Sequence, residues 1–142
     1  MRARSNDMAA IPTGLAGGVL QEIAGRLADL ARTGESAAID LRSLPMTSTD
    51  LDELEHRLGR GEVAARLTLA GASELWETRY SGVWWVRHYG AGGRIAAERI
   101  EIAAVPEILV AHAADIAAAA ARARCDLGGD ASATDMEPGI HG

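Results

Sequence analysis

The apolar positions change period along the chain. Val19, Leu20, Ile23, Leu27 and Leu30 recur at helical spacing, and Gly34 stands where such a helix would stop. Gly17, Gly18 and Gly25 each weaken that helix by about 1 kcal/mol relative to Ala, so it must lean on tertiary packing. Ala37 to Leu41 reads as a short strand. Beyond a Pro45 loop, Leu51, Leu54 and Leu58 form one stripe of a second helix. Ser48 or Thr49 is its expected N-cap, acids fill its first turn, and Gly59 ends it. The period then falls to two. Strands are predicted over 62–70, 74–80, 83–89 and 94–103, joined by Gly71-Ala72-Ser73, Ser81-Gly82 and Gly90-Ala91-Gly92-Gly93. Connections this short demand antiparallel neighbours. Pro106 opens a third helix predicted to run to Arg124, with Leu109, Ile116 and Ala120 on its apolar face. The expected fold class is α+β, a four- to five-stranded antiparallel meander with three helices on one face. Residues 1–13 read as a disordered tail, 14–125 as a single domain and 126–142 as a second disordered tail.

Alternation across a strand divides the meander into two sets of side chains, and the turns decide which sets align. A two-residue turn at Ser81-Gly82, with one bulged residue in the Gly-rich turn, places Val63, Leu67, Leu69, Leu75, Trp84, Val86, Ile100 and Ile102 together under the helices. The other face then carries Arg66, Thr68, Trp76, Thr78, Tyr80, Trp85, Arg87, Tyr89, Arg99 and Glu101. Aromatic and Arg side chains are enriched at interface hot spots. Trp76, Tyr80, Trp85, Arg87, Tyr89 and Arg66 are therefore the expected anchors for a polypeptide partner. The competing reading buries these aromatics in the fold, and a one-residue slip in register would exchange the two faces. In the expected register Glu77 and Arg79 turn towards the core, where they need partners.

Composition narrows the function classes. The 142 residues carry 20 acids and 14 bases, a net charge of −6, and every base is Arg. An acidic chain without a basic run is a poor electrostatic match to nucleic acid. The longest apolar run, 116–121, is far short of a membrane span, and the first residues show no export signal, so a cytoplasmic location is expected. One cysteine, Cys125, excludes an internal disulfide.

No constellation for chemistry stands out. His56, His88, His112 and His141 are scattered, without zinc-type spacing, so no metal or other cofactor is expected. Ser81 lacks a nucleophile elbow, and Cys125 is expected near a helix C-terminus, where the dipole disfavours a thiolate. The Gly90–Gly93 loop joins strand to strand and lacks the Lys-Ser/Thr pair of a phosphate loop. Glu62 and Glu77 point to opposite faces in the expected register, which argues against a general acid/base pair.

Several separated blocks occur in order: Ser43-Leu44-Pro45-Met46, Asp50-Leu51, Leu58-Gly59-x-Gly61-Glu62-Val63, Glu77-Thr78, Gly82-Val83-Trp84-x-Val86, Ile100-Glu101-Ile102 and Val105-Pro106-x-Ile108-Leu109. Over about residues 36–116 the chain thereby resembles the C-terminal region of the HupH (HoxQ/HyaF-type) hydrogenase expression/formation proteins. The resemblance implies a non-catalytic accessory or chaperone role in maturing uptake [NiFe] hydrogenase. It implies as partners the small-subunit precursor, before twin-arginine export, and a thioredoxin-like accessory protein. It transfers no catalytic residues; Glu62, Glu77, Thr78 and Gly82 are motif positions without an assigned role. Typical members are about twice as long. Two rival readings are a small enzyme or ligand carrier with a sheet–helix cleft, marked by convergence of His88, Glu77 and Arg79, and a structural homodimer.

Overall fold

The computed structural model describes residues 11–68 and 71–134. The expected tail over 1–10, Leu69 of the expected apolar face, and His141 lie outside the described residues. The chain divides into two compact units, one running to Pro106 and one starting at Glu107.

In the first unit, helix α1 spans Leu15–Thr33 and ends at Gly34, whose left-handed backbone lets its N–H reach the Leu30 carbonyl. Strand β1 (Ala37–Asp40) follows, and then helix α2 (Ser48–Leu58). The cap of α2 is Thr47 rather than Ser48 or Thr49. Its hydroxyl accepts from the Asp50 N–H at 3.1 Å while the Asp50 carboxylate accepts from the Thr47 N–H at 3.0 Å, forming a reciprocal capping box. Thr13 adds two donors to the same carboxylate, its N–H at 2.8 Å and its hydroxyl at 2.6 Å, which ties the start of α1 to the start of α2.

Strands β2 (Ala64–Leu67), β3 (Ala72–Glu77), β4 (Val83–Tyr89) and β5 (Ile95–Ile102) form the expected antiparallel meander. β1 pairs with β5, so the five-stranded order is β1-β5-β4-β3-β2 and the class is α+β. The β3–β4 connection is longer than a two-residue turn. Thr78 N–H donates to the Val83 carbonyl, and the buried Thr78 hydroxyl donates to the same oxygen at 2.9 Å. Gly61 is required where α2 feeds β2: a Cβ there would lie 2.7 Å from the Thr78 carbonyl oxygen.

The two faces of the sheet are exchanged relative to the sequence expectation. Alternation within β2, β3 and β4 is as predicted, with Leu67, Leu75, Trp84 and Val86 on one side. The error lies in β5. Its pairing shifts by one residue between His88 and Tyr89, so Trp85 faces Ile100 and Val83 faces Ile102. The two Ile therefore join the indoles. Trp76, Trp85, Val83, Ile39, Ile100 and Ile102 meet Val19 and Ile23 of α1 and Leu51, Leu54 and Leu58 of α2 in the main core. Large rings and β-branched side chains together present more apolar area to the helices than the rival set. Leu75, Trp84 and Val86 form a second, smaller cluster on the other side.

The second unit contains a 3-10 turn, Glu107–Leu109, and helix α3, Ala113–Thr134. α3 starts after the predicted Pro106 and continues past Arg124, through residues expected in the C-terminal tail. Cys125 thus lies within the helix, exposed, rather than near its end. No helix among the described residues is long and apolar enough to cross a membrane.

Candidate functional site

The helix-covered side of the sheet is not apolar throughout. In β3, Glu74 precedes Trp76 by two residues; in β4, Arg87 and Tyr89 follow Trp85; in β5, Glu98 precedes Ile100. Period-two alternation therefore carries the indole row directly into a row of charges. Trp76 and Trp85 stack with planes 5° apart and centroids at 5.8 Å. Arg60, just beyond α2, lies over the Trp76 ring at 3.7 Å, and Arg87 lies over the same ring at 5.0 Å.

Arg87 is the hub of this region. Its side chain is buried, and its Nε donates to Glu98 Oε2 at 2.8 Å while one Nη donates to Glu55 Oε1 of α2 at 2.9 Å. Its other Nη is 3.6 Å from Glu74. Trp85 Nε1 donates to the same Glu98 oxygen at 3.0 Å. Burial works against the Arg87 charge, but the charge of Glu98, hydrogen bonds with Tyr89 and Glu98, and Glu55 outweigh it, so the guanidinium is raised above its ordinary pKa and stays cationic. Burial raises the Tyr89 hydroxyl, as does its 2.5 Å bond to Glu74, against the opposing pull of Arg87; it remains a protonated donor. The network thus ties one helix to three strands. Trp76 Nε1, by contrast, is buried without a hydrogen-bond partner.

At the outer end of this row a cleft of about 680 Å³ opens, lined by Arg60, Arg66, Arg87, Glu74, Tyr89 and Ser73, with Gly90 and Gly93 at its margin. Three guanidiniums face one carboxylate among its lining side chains. Arg66 is 76 % exposed and only 3.6 Å from Glu74; Arg60 is 3.8 Å from Glu55.

The six expected anchors do not form one surface. Trp76 (1 % exposed), Trp85 (0 %) and Arg87 are interior, which removes them as direct contacts: the helices sit on their side of the sheet. Arg66 and the half-buried Tyr89 line the cleft. Tyr80, 50 % exposed, stands at the β3–β4 connection, the other end of the strands. Of the motif positions, Glu62 is exposed, Glu77 half-buried, and Gly82 adopts φ 91° in the β3–β4 connection beside Leu27 and Leu30. Thr78 is structural in its bonding.

The convergence of His88, Glu77 and Arg79 expected of an enzyme-like cleft is not present. His88 and Glu77 lie on the side of the sheet away from Arg87, His88 bonded to Ser73 Oγ at 2.6 Å, while exposed Arg79 donates to the Arg57 carbonyl. Among the described residues no group of three or more His, Cys, Asp or Glu could hold a metal ion. Glu55, Arg60, Glu74 and Glu98 were not singled out from the sequence. The available signal was phase: Glu74 with Trp76, and Glu98 with Ile100.

This arrangement of sheet and covering helices has a close structural counterpart. The hydrogenase expression protein HupH from Thiobacillus denitrificans superposes with a TM-score of 0.78 and 43% identity, covering 83% of this chain and 98% of that one. The fold is that of a hydrogenase expression protein. More particularly, residues 15–127 match the HupH hydrogenase expression protein, C-terminal conserved region, and the chain belongs to that family. It is also similar to the hydrogenase expression/formation proteins HoxQ of Azotobacter vinelandii (30% identity over 87 residues, 61% of this chain and 31% of that protein) and HupH of Rhodobacter capsulatus (31% over 91 residues, 64% and 33%). The matched segments span about a third of those two relatives.

Proposed function

We propose that this chain is a non-catalytic accessory protein in the maturation of [NiFe] hydrogenase, holding the small-subunit precursor before its export, with a thioredoxin-like protein as an additional partner. The observation that carries this reading is family membership across residues 15–127, together with a 43% identical structure named as a hydrogenase expression protein. The site chemistry is compatible with it. The cleft's carboxylate and buried guanidinium are already engaged, Glu74 by the Tyr89 hydroxyl and Arg87 by its carboxylate partners, which leaves the outer Arg60 and Arg66 as the donors a ligand would meet.

The partner surface differs from the one the sequence suggested. Its reachable members are Arg66, Tyr89 and Arg60 at the cleft, with Arg60 held over the Trp76 ring. The test is affinity capture from hydrogenase-expressing cells, followed by mass spectrometry and by reconstitution with purified precursor. Capture of the small-subunit precursor by the intact chain, and its reconstitution from pure components, is the expected result. A folded chain that captures no precursor, in cells whose hydrogenase matures normally after deletion of its gene, would refute the function.

A further inference from the structure

The charges around the cleft are unequally engaged. Arg87 is enclosed by Glu98, Glu55 and Glu74, and it spends its donors inside the protein. Arg60 and Arg66 differ. Their contacts, at 3.8 and 3.6 Å, are to carboxylates that already hold closer partners: Glu55 has Arg87 at 2.9 Å, and Glu74 has the Tyr89 hydroxyl at 2.5 Å. Stacking on Trp76 engages the face of the Arg60 guanidinium but not the N–H groups around its edge, which is how Arg presents a planar fork to a carboxylate. Among the side chains that line the cleft three guanidiniums meet one carboxylate, and Glu55 and Glu98, which hold Arg87 most closely, are not among that lining.

A second feature lies beside it. β2, which carries Arg66, is the last strand of the sheet and pairs only with β3 among the described residues. Every second backbone N–H and C=O of an edge strand points outwards and can pair with another extended segment. Along β2, Ala64 and Arg66 are exposed and Ala65 and Leu67 half-buried, and these side chains project from the faces of the sheet rather than across its edge.

We propose that the cleft receives the carboxylate of an acidic polypeptide segment, held between Arg60 and Arg66, while that segment runs extended along the edge of β2. This rests on the proposed function only for the polypeptide nature of the ligand. A free small carboxylate would use the two guanidiniums and gain nothing from the strand edge.

The test uses the whole chain and a fluorescein-labelled extended peptide of alternating Glu and Val, its Gln-for-Glu counterpart, and glutarate as competitor. Fluorescence anisotropy at low salt should show the Glu peptide binding about tenfold more tightly than the Gln peptide. That preference should fall with added salt. Arg66→Glu should abolish it and Arg60→Gln should reduce it. Arg66→Glu, at an exposed site, should leave the circular dichroism and melting of the chain unchanged and so serves as the control for folding. Glutarate should compete only at concentrations far above those of the peptide. Equal binding of the two peptides, an unchanged preference in folded Arg66→Glu, or competition by glutarate at the peptide's own concentration overturns the proposal. Precursor capture is run in parallel. Capture that survives Arg66→Glu overturns the cleft assignment and leaves the function standing, whereas peptide discrimination by a chain that captures no precursor supports the cleft and removes the function.

Discussion

At the scale of single residues, the two stacked indoles are chemically alike and energetically opposite. Trp85 gives its N–H to the buried Glu98 carboxylate, whereas Trp76 buries an N–H that meets no acceptor. Replacing each by Phe removes the same volume. Trp85→Phe also strips a bond from a buried charge, while Trp76→Phe removes an unsatisfied donor. Trp76→Phe is therefore expected to be less destabilising than Trp85→Phe by about 1–2 kcal/mol, as measured by urea unfolding; equal losses would contradict the asymmetry. Gly61 is constrained by space rather than by dihedral angle. A methyl group there would press on the Thr78 carbonyl, a backbone atom that cannot swing away. Gly61→Ala should cost about 1–3 kcal/mol by the same measurement. Neither demand was legible in the sequence, because the Thr78 oxygen and the Glu98 carboxylate reach their neighbours only after the strands pair.

At the scale of elements, the caps and stops were largely readable and the phasing between elements was not. Gly34 and Gly59 end their helices as their positions suggested. Thr47 caps α2 in place of its neighbours because only there do the hydroxyl and Asp50, three residues on, satisfy each other's backbone N–H. Asp50 does more than cap. Burial would raise its carboxyl, but bonds from the Thr13 hydroxyl and N–H and from Thr47 prevail and lower it from 3.8 to about 2. A carboxylate depressed in the folded state contributes stability that is complete above its unfolded pKa and is lost as pH falls through the folded value. The join between α1 and α2 should thus weaken between about pH 4 and pH 2. Melting temperature followed over that window should fall more steeply for the natural chain than for Asp50→Asn, which has no such proton to gain. Parallel curves would show that Asp50 is not the group responsible.

For the whole molecule, Arg87 joins Glu55 of α2, Glu74 of β3 and Glu98 of β5. Removing Arg87 or Glu98 takes the ion-pair partner from a buried charge, at a cost of about 3–5 kcal/mol, while replacing the core pair with apolar residues of similar volume can be close to neutral. Arg87→Met and Glu98→Leu should each destabilise strongly. The double variant should be more stable than the sum of the two predicts, a coupling read from a double-mutant cycle of unfolding free energies. Additive losses would mean that the network holds no interaction between the pair.

The amino-acid sequence by itself determined the order and type of the elements, the antiparallel meander, the alternation within each strand and the family, because these depend on local periodicity, turn residues and motif order. Tertiary structure decided which side of the sheet faces α1 and α2. Alternation defines two sets of side chains but does not say which set is interior. That choice followed from a one-residue shift between β4 and β5, which aligns Ile100 and Ile102 with the indoles. The same shift brings Glu98 onto Arg87 and so builds the charged end of the row, where the cleft opens.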